Sequence, residues 1–319
     1  MYRRPSRELV LITGVHGFLG QHVVRMFLDE SRADLVLSAR QDKLLFAGVE
    51  DEQRIASYLQ LDLTDRTAVR STIQSLKPDV IVNCAAFVDV DRAESERETA
   101  WRTNTSAVEY LIESARKTEA RIIHISTDFV FDGTKTPYAE NAAPNPLNYY
   151  GRTKLASENA LRASGIHHCI LRAPLLYGLE ELHWKNMAMR VYDSLQKKKQ
   201  FAAFTDIQVT PTLIDDLAFA VVRATELRKH GIYHVGGPEM VSRYDFAVRI
   251  AKHFRLDESL IVPVTSEGHA ATRPKKSAFV TLKAQTELSL RLAGVDQGLE
   301  VTYRNLKDIV SPSRQILYS

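Results

Sequence analysis

Three glycines, a tyrosine–lysine pair and one threonine have the residue types and spacing to do chemistry in this chain. Gly14, Gly17 and Gly20 stand in Thr13-Gly14-Val15-His16-Gly17-Phe18-Leu19-Gly20. They follow the apolar run Leu9-Val10-Leu11-Ile12 and precede Val23, Val24, Phe27 and Leu28, which have helical spacing. A strand, a glycine-rich turn and a helix in that order hold a dinucleotide diphosphate. The glycines allow the tight turn and the close approach, and the first N–H groups of the helix meet the negative charge. Glycines at such a junction also serve packing alone, so the loop gains force from what lies downstream. Tyr150 and Lys154 fall four residues apart in Tyr150-Gly151-Arg152-Thr153-Lys154 and share a face if the segment is helical. An ammonium in that position lowers a phenol from its ordinary value of about 10. A phenol so tuned exchanges a proton with a substrate oxygen near neutral pH. The lysine also reaches the ribose hydroxyls of a nicotinamide nucleotide.

Between the loop and the pair, Arg121-Ile122-Ile123-His124-Ile125 reads as a buried parallel strand that stops at Ser126-Thr127-Asp128. Ligands of open parallel sheets sit beyond the carboxyl ends of the strands. Thr127 is therefore placed to hydrogen-bond a substrate carbonyl while Tyr150 protonates it, and Ser126 reads as a cap of the next turn.

Alternating elements position these groups. After the first strand and helix come strand-like Leu35 to Arg40, strand-like Tyr58 to Leu63, a helix around Ala68 to Leu76 and the strand Val80 to Asn83. A helix around Thr99 to Thr118 leads into the strand ending at Ser126, and the catalytic helix runs from near Tyr149 to about Ala163. This pattern predicts an α/β fold, a Rossmann-like doubly wound parallel sheet covered on both faces. Residues 1–172 form the dinucleotide-binding part. Residues 173–319 form mostly a smaller α/β substrate lobe, with 205–236 returning to the sheet through the strand Gly231 to Gly236. Within the lobe, Asn186 to Gln196 reads as a helix, Phe201 to Val209 as strand-like, and Asp215 as the cap of a helix opening near Pro211. Arg40 ends the second strand where an acidic residue would hold the adenine ribose of NAD, and the first carboxylate beyond it is Asp42. An arginine there accommodates a 2′-phosphate, so NADPH is the preferred cofactor. NADH stays open, because Arg40 stacked on the adenine suits both.

The chain resembles the extended short-chain dehydrogenase/reductases, and within them the dTDP-4-dehydrorhamnose reductase group. The resemblance is carried by Thr13 to Gly20, by Asn83-Cys84-Ala85-Ala86-Phe87-Val88-Asp89 through Glu94, and by Ser126-Thr127-Asp128-Phe129-Val130-Phe131-Asp132-Gly133. It continues through Asn145-Pro146-Leu147-Asn148-Tyr149-Tyr150 to Lys154 and in Arg273-Pro274-Lys275-Lys276-Ser277. It implies that Thr127, Tyr150 and Lys154 are the catalytic triad. Gly14, Gly17 and Gly20, with His16, Phe18 and Leu19, cradle the diphosphate. Asp62 and Leu63 flank the adenine, and Ala85 and Ala86 line the far side of the cofactor. Val88, Asp128, Phe129 and Arg273 line the substrate, with Arg273 and Lys275 toward a diphosphate. The activity implied is reduction of the C4 carbonyl of a nucleotide-activated deoxysugar. A homodimer is the assembly such relatives often form. The chain departs from the group in Ala173-Pro174-Leu175-Leu176-Tyr177-Gly178, where many of the reductases carry a tryptophan. That stretch is similar to the non-catalytic beta subunits of methionine adenosyltransferase. The glycine loop departs too, with Phe18 and Leu19 in place of Gln-Leu.

Composition bounds the rest. At 319 residues, with 45% hydrophobic and 25% charged content, the chain has an ordinary globular balance. A net charge of +3 argues against nucleic acid as a partner, and Lys197-Lys198-Lys199 reads as a solvated turn. Cys84 and Cys169 sit in apolar contexts as free thiols, which suits the cytoplasm. His167 and His168 point opposite ways on a strand, and the stretch after Asp308 lacks an acidic cluster, so no metal is expected. The basic start, Met1 to Glu8, has no signal-peptide pattern, and no run approaches the roughly 20 apolar residues of a membrane span.

Overall fold

The computed structural model describes residues 7–45, 52–179, 182, 186–268 and 270–310. The start of the chain before Arg7 and the end beyond Val310, on which two of the sequence expectations fall, lie outside them. The elements up to Ala173 are β1 (Leu9–Thr13), α1 (Phe18–Glu30), β2 (Asp34–Ala39), β3 (Ile55–Gln60), α2 (Arg66–Leu76), β4 (Val80–Asn83), α3 (Val90–Ser95), α4 (Arg97–Trp101), α5 (Ala107–Thr118), β5 (Arg121–Thr127), α6 (Tyr149–Ala163) and β6 (His168–Ala173). The lobe and its returning segments follow as β7 (Leu176–Tyr177), α7 (Met187–Gln196), β8 (Phe201–Phe204), β9 (Gln208–Val209), β10 (Thr212–Leu213), α8 (Ile214–Glu226), β11 (Gly231–His234), β12 (Val241–Ser242), α9 (Arg243–His253), β13 (Ile261–Val264), β14 (Lys276–Ser277), α10 (Leu282–Glu287) and α11 (Val295–Val310).

The central sheet has seven parallel strands in the order β11-β6-β5-β4-β1-β2-β3. The expected Rossmann-like sheet is present, and the strand near Gly231 does return to it, pairing with β6. The winding reverses between β1 and β4, and at that switch point the carboxyl ends of the strands diverge into a crevice. Two apolar layers cover the sheet. One packs α1 and α8 around Val10, Ile12, Val82 and Leu171, and α10 joins it through Ala284 and Leu288. The other packs α2 and α5 around Leu11, Ile81, Ile122 and Ile170. A third cluster, around Tyr177, Met189, Phe246 and Leu299, belongs to the lobe.

Local chemistry sets the ends of the site-bearing helices. Asn148 caps α6, its Oδ1 accepting from Gly151 N at 2.8 Å, and Asn186 caps α7 in the same way. The expected helix from Thr99 to Thr118 differs from what is seen. It opens at Arg97, and Arg102–Ser106 winds as a π-helix between α4 and α5. Asp215 is not a cap: α8 opens at Ile214 after Leu213, and Asp215 accepts from His22 at 2.7 Å. Cys84 and Cys169 are free thiols as read. Among the described residues no cluster of His, Cys, Asp or Glu could hold a metal, and no helix is long and apolar enough to cross a membrane.

One ion pair lies at the centre of this frame. The Arg172 guanidinium, from β6, binds Glu158 of α6 through Nε at 2.9 Å and Nη2 at 2.5 Å, and both side chains are at most 1% exposed. Removing one partner strands the other charge in the interior. Glu158→Gln is expected to cost about 3–5 kcal/mol, measured as a lower midpoint in urea unfolding. The double variant Arg172→Met/Glu158→Leu, which leaves no charge behind, is expected to lose less than Glu158→Gln alone.

Candidate active site

The glycine loop opens at the switch point. Gly14 has φ +70°, and a Cβ built on it would lie 2.6 Å from Ala85 N. A Cβ on Gly20 would run into the Gly14 carbonyl. Both positions therefore require glycine for the backbone to fit. Gly17 differs, because a Cβ there meets only Gly14 O at 3.2 Å and otherwise faces open space. Gly17 is also the N-cap of α1 and no side chain caps that helix, so its first N–H groups remain for an anion. This cradle fits a dinucleotide diphosphate. Phe18 turns its ring edge-on to His22 and Leu19 is buried, so both can offer the cofactor backbone rather than side chain. His16 is also spent internally. Its Nε2 accepts from Leu45 N at 3.1 Å and its Nδ1 faces Gln41 Oε1 at 3.0 Å. It thereby braces the loop that follows exposed Arg40. Asp62 closes a turn on Thr64, Leu63 is buried against α2, and Ala85 and Ala86 line the crevice after β4.

Thr127, Tyr150 and Lys154 come together where β5 ends against α6. Tyr150 lies close enough to Thr127 for that hydroxyl to pull its phenol down. Thr127 Oγ1 donates to Asp128 Oδ1 at 3.0 Å and accepts from Phe129 N at 3.2 Å. Phe129 sets its ring edge against Tyr150 at 5.8 Å. The electrostatics differ from the sequence expectation. Burial pushes the Tyr150 phenol up, the Thr127 contact pulls it partly back, and the Asp128 charge adds to the rise. Lys154, only 2% exposed, is itself brought down to about 8 by burial, against the pull of Glu158 and Cys84. Its Nζ sits 3.3 Å from His124 Nε2. Ser126 is not a turn cap either, since its hydroxyl donates to Glu158.

The lobe side holds Asp128, whose buried carboxyl is raised by desolvation against hydrogen bonds from Ser277 and Thr127. Val88 is 69% exposed beside the crevice. Arg273 and Lys275 are placed differently from the expectation of cations turned to a diphosphate. Arg273 forms a two-pronged pair with Asp91 at 3.1 and 2.5 Å, and Lys275 pairs with Asp206. Arg243, at the start of α9, has no carboxylate in an ion pair with it among the described residues. Its Nε is buried with no hydrogen-bond partner among the described residues. Burial and the charges of Arg273 and Arg190 hold its guanidinium down to about 10, and Asp128 opposes them.

Asn104, His124 and Arg243 carry no motif, and sequence reasoning passed over them. Asn104 lies in the π-helix. Its Oδ1 accepts from Phe87 N at 2.8 Å, and its Nδ2 donates to Phe87 O and to Thr153 Oγ1, both at 3.0 Å. It ties the segment bearing Val88 to the catalytic helix. An asparagine in mid-helix, a position it disfavours, was the available signal.

Comparison with known proteins agrees with this geometry. The RmlD substrate binding domain model matches residues 8–307. The methionine adenosyltransferase 2 subunit beta of Xenopus tropicalis is 35% identical over 274 residues, covering 84% of this chain and 78% of that one. The dTDP-4-dehydrorhamnose reductase of Aggregatibacter actinomycetemcomitans is 30% identical over 297 residues, covering 88% and 94%. The solved dTDP-4-dehydrorhamnose reductase of Bacillus anthracis, in complex with NADP, superposes with a TM-score of 0.81 at 27% identity, covering 94% of this chain and 100% of that one. With a family match across nearly its whole length, and with glycine cradle, threonine, tyrosine and lysine gathered at one crevice, the chain belongs to the RmlD substrate-binding domain family.

Proposed function

We propose that the protein is an NADPH-dependent reductase of the C4 carbonyl of a nucleotide-activated deoxysugar, with dTDP-4-dehydro-L-rhamnose as the leading substrate. The observation that carries this reading is Thr127 at the carboxyl end of β5 against Tyr150 of α6, with Lys154 one turn on, in the sheet whose β1 opens the Gly14–Gly20 cradle. When bound, the reduced nicotinamide supplies a hydride to the carbonyl carbon. Tyr150 gives its proton to the carbonyl oxygen, and Thr127 holds that oxygen and the phenol in register. A phenol raised above its ordinary value stays protonated through the neutral range, which suits a group that must donate. Lys154 grips the nicotinamide ribose. Arg243, a buried cation lacking a hydrogen bond at Nε, supports an anionic substrate such as a sugar nucleotide, because its desolvation is offset when an anion binds. The NADP complex of the Bacillus anthracis reductase supports the cofactor. A homodimer remains part of the proposal.

A second reading, a non-catalytic NADP-binding regulatory subunit, is favoured by one observation, the 35% identity to methionine adenosyltransferase beta subunits. Against it stand the complete Thr127–Tyr150–Lys154 set and the raised, proton-bearing phenol. Loss of reduced-nicotinamide absorbance with enzymatically generated dTDP-4-dehydro-L-rhamnose separates the two. Turnover supports the reductase, and cofactor binding without turnover of this or other keto sugars supports the regulatory subunit.

Two variants refine the test. Tyr150→Phe is expected to bind NADPH normally and to lose about 100- to 10,000-fold in turnover. Near-normal turnover would remove Tyr150 from the mechanism. Arg40→Asp is expected to lower the ratio of kcat/KM for NADPH over NADH by about 10- to 100-fold, the size of a lost hydrogen bond between charged groups. An unchanged ratio would leave Arg40 no part in holding the 2′-phosphate.

A further inference from the structure

His124 stands on β5 beneath the active site, 1% exposed, and the proposed reaction gives it no role. Its ring is held by polar side chains from three directions. Asn83 Nδ2 lies 3.3 Å from Nδ1, Ser157 Oγ lies 3.1 Å from Nε2, and Lys154 Nζ lies 3.3 Å from the same Nε2. These contacts assign the ring proton. Asn83 Oδ1 accepts from Ala85 N at 3.2 Å and from Thr13 Oγ1 at 2.8 Å. A backbone N–H only donates, so that atom of the amide is its oxygen, and the amide nitrogen faces His124. Nδ1 is therefore the acceptor, and the single proton of the neutral ring sits on Nε2. Ser157 agrees, because its hydroxyl donates to Lys154 O at 2.7 Å and leaves a lone pair toward Nε2.

That assignment constrains Lys154. An ammonium offers only N–H groups and accepts nothing from the Nε2–H that it faces, which would leave Ser157 Oγ as the acceptor of that proton and the ammonium pressed against a donor. A neutral amine has a lone pair and accepts. Of the other ionisable groups around the lysine, Glu158 pulls toward the ammonium, and burial outweighs it. Cys84, after β4, is a buried thiol pushed up to about 12 and stays neutral. The Tyr150 phenol is raised and neutral as well. Glu158, one turn along α6, is already held by Arg172 and Ser126.

We propose that His124 is a positioning residue that docks Lys154 as a neutral amine in the cofactor-free protein, and that nicotinamide-nucleotide binding draws the lysine onto the ribose hydroxyls as an ammonium, taking one proton from solvent. The inference rests on the cofactor reading above. No bond to carbon changes; the amine gains a proton and a positive charge. With free Lys154 brought down to about 8, the docked amine dominates above that pH and the ammonium below it. Cofactor affinity should then weaken by up to about tenfold per pH unit above 8, because each unit removes a further factor of ten of the binding form.

The test is calorimetric titration of NADPH into the full chain, in two buffers of different ionisation enthalpy. Lys154→Met is the control that removes any uptake by the cofactor's own phosphate. At pH 9 the wild type should take up about one more proton per cofactor than Lys154→Met, and at pH 7 only about a tenth of one. His124→Phe removes the donor to the amine, so its uptake at pH 9 should fall, whereas a merely structural loss would lower affinity or melting temperature and leave the proton count alone. Equal uptake in His124→Phe and wild type, or none in wild type, overturns the proposal. A second readout needs neither variant nor cofactor. In the unliganded wild type, 15N shifts of the His124 ring should show Nε2 protonated, and the 13Cε signal of Lys154 should titrate near 8. A ring protonated at Nδ1, or a lysine titrating near 10, overturns the docking. Absence of NADPH binding at every pH would instead sink the cofactor reading, and the ring and lysine signals would still decide whether His124 docks the amine.

Discussion

Helix α6 lays a polar face, not an apolar one, on the sheet, and the active site depends on that face being fully paired. Tyr150, Thr153, Lys154, Ser157 and Glu158 are all buried. A buried polar atom without a partner costs about 1–3 kcal/mol, and more when charged. Four of these side chains meet a polar group from elsewhere in the chain: Thr153 meets Asn104, Lys154 and Ser157 meet His124, and Glu158 meets Arg172 and Ser126, while Tyr150 lies against Thr127. The partners come from β5, β6 and the π-helix, so pairing the face fixes the helix in register against three elements at once. Placement of the Tyr150 phenol follows from it. The groups that must act are locked by the same contacts that keep the interior satisfied.

The parts of this arrangement that depend on local chemistry were legible in the chain. The bounds read for α6 and β4 coincide with those observed, because Asn148 caps one and a short β-branched run defines the other. The Gly14–Gly20 loop was legible because positive φ and close backbone approach admit few residues. The parts that depend on pairing across the fold were not. Nothing near Arg273 in sequence indicates that Asp91, 182 positions away, holds it. The same is true of Glu158 and Ser126, 32 apart, so a serine read as a turn cap turns out to serve a buried carboxylate. The π-helix at Arg102–Ser106 was hidden for a related reason. Its irregular winding is stabilised by Asn104 and Thr105 bonding to Thr153 and Phe87, not by its own periodicity.

The cations of the cleft show what such pairings do to function. Arg273 and Lys275 look equivalent to Arg243 as sequence, and they differ entirely once folded. The first two are paired with Asp91 and Asp206 and brace the loop that carries them. Arg243 keeps an unpartnered Nε near Arg190, Arg273 and the Asp128 carboxyl. A ligand's negative charge therefore gains most beside Arg243, because binding there replaces a missing partner and not an existing one.

The raised phenol and the docked lysine belong to one electrostatic scheme. In the free protein Tyr150 has lost solvation and has the Asp128 charge nearby, so its proton is held firmly. An ammonium one helical turn away would ease that proton off by stabilising the phenolate. On the proposed docking, this easing is withheld until cofactor arrives above about pH 8, where Lys154 is mostly uncharged in the empty protein. In the proposed reaction the phenol would give up its proton as the carbonyl oxygen gains negative charge. The sequence rule that a lysine four residues on lowers a tyrosine's pKa thus describes the loaded site, and the burial seen here describes the site before loading. On the proposal made for His124, what converts one to the other is a single proton on Lys154.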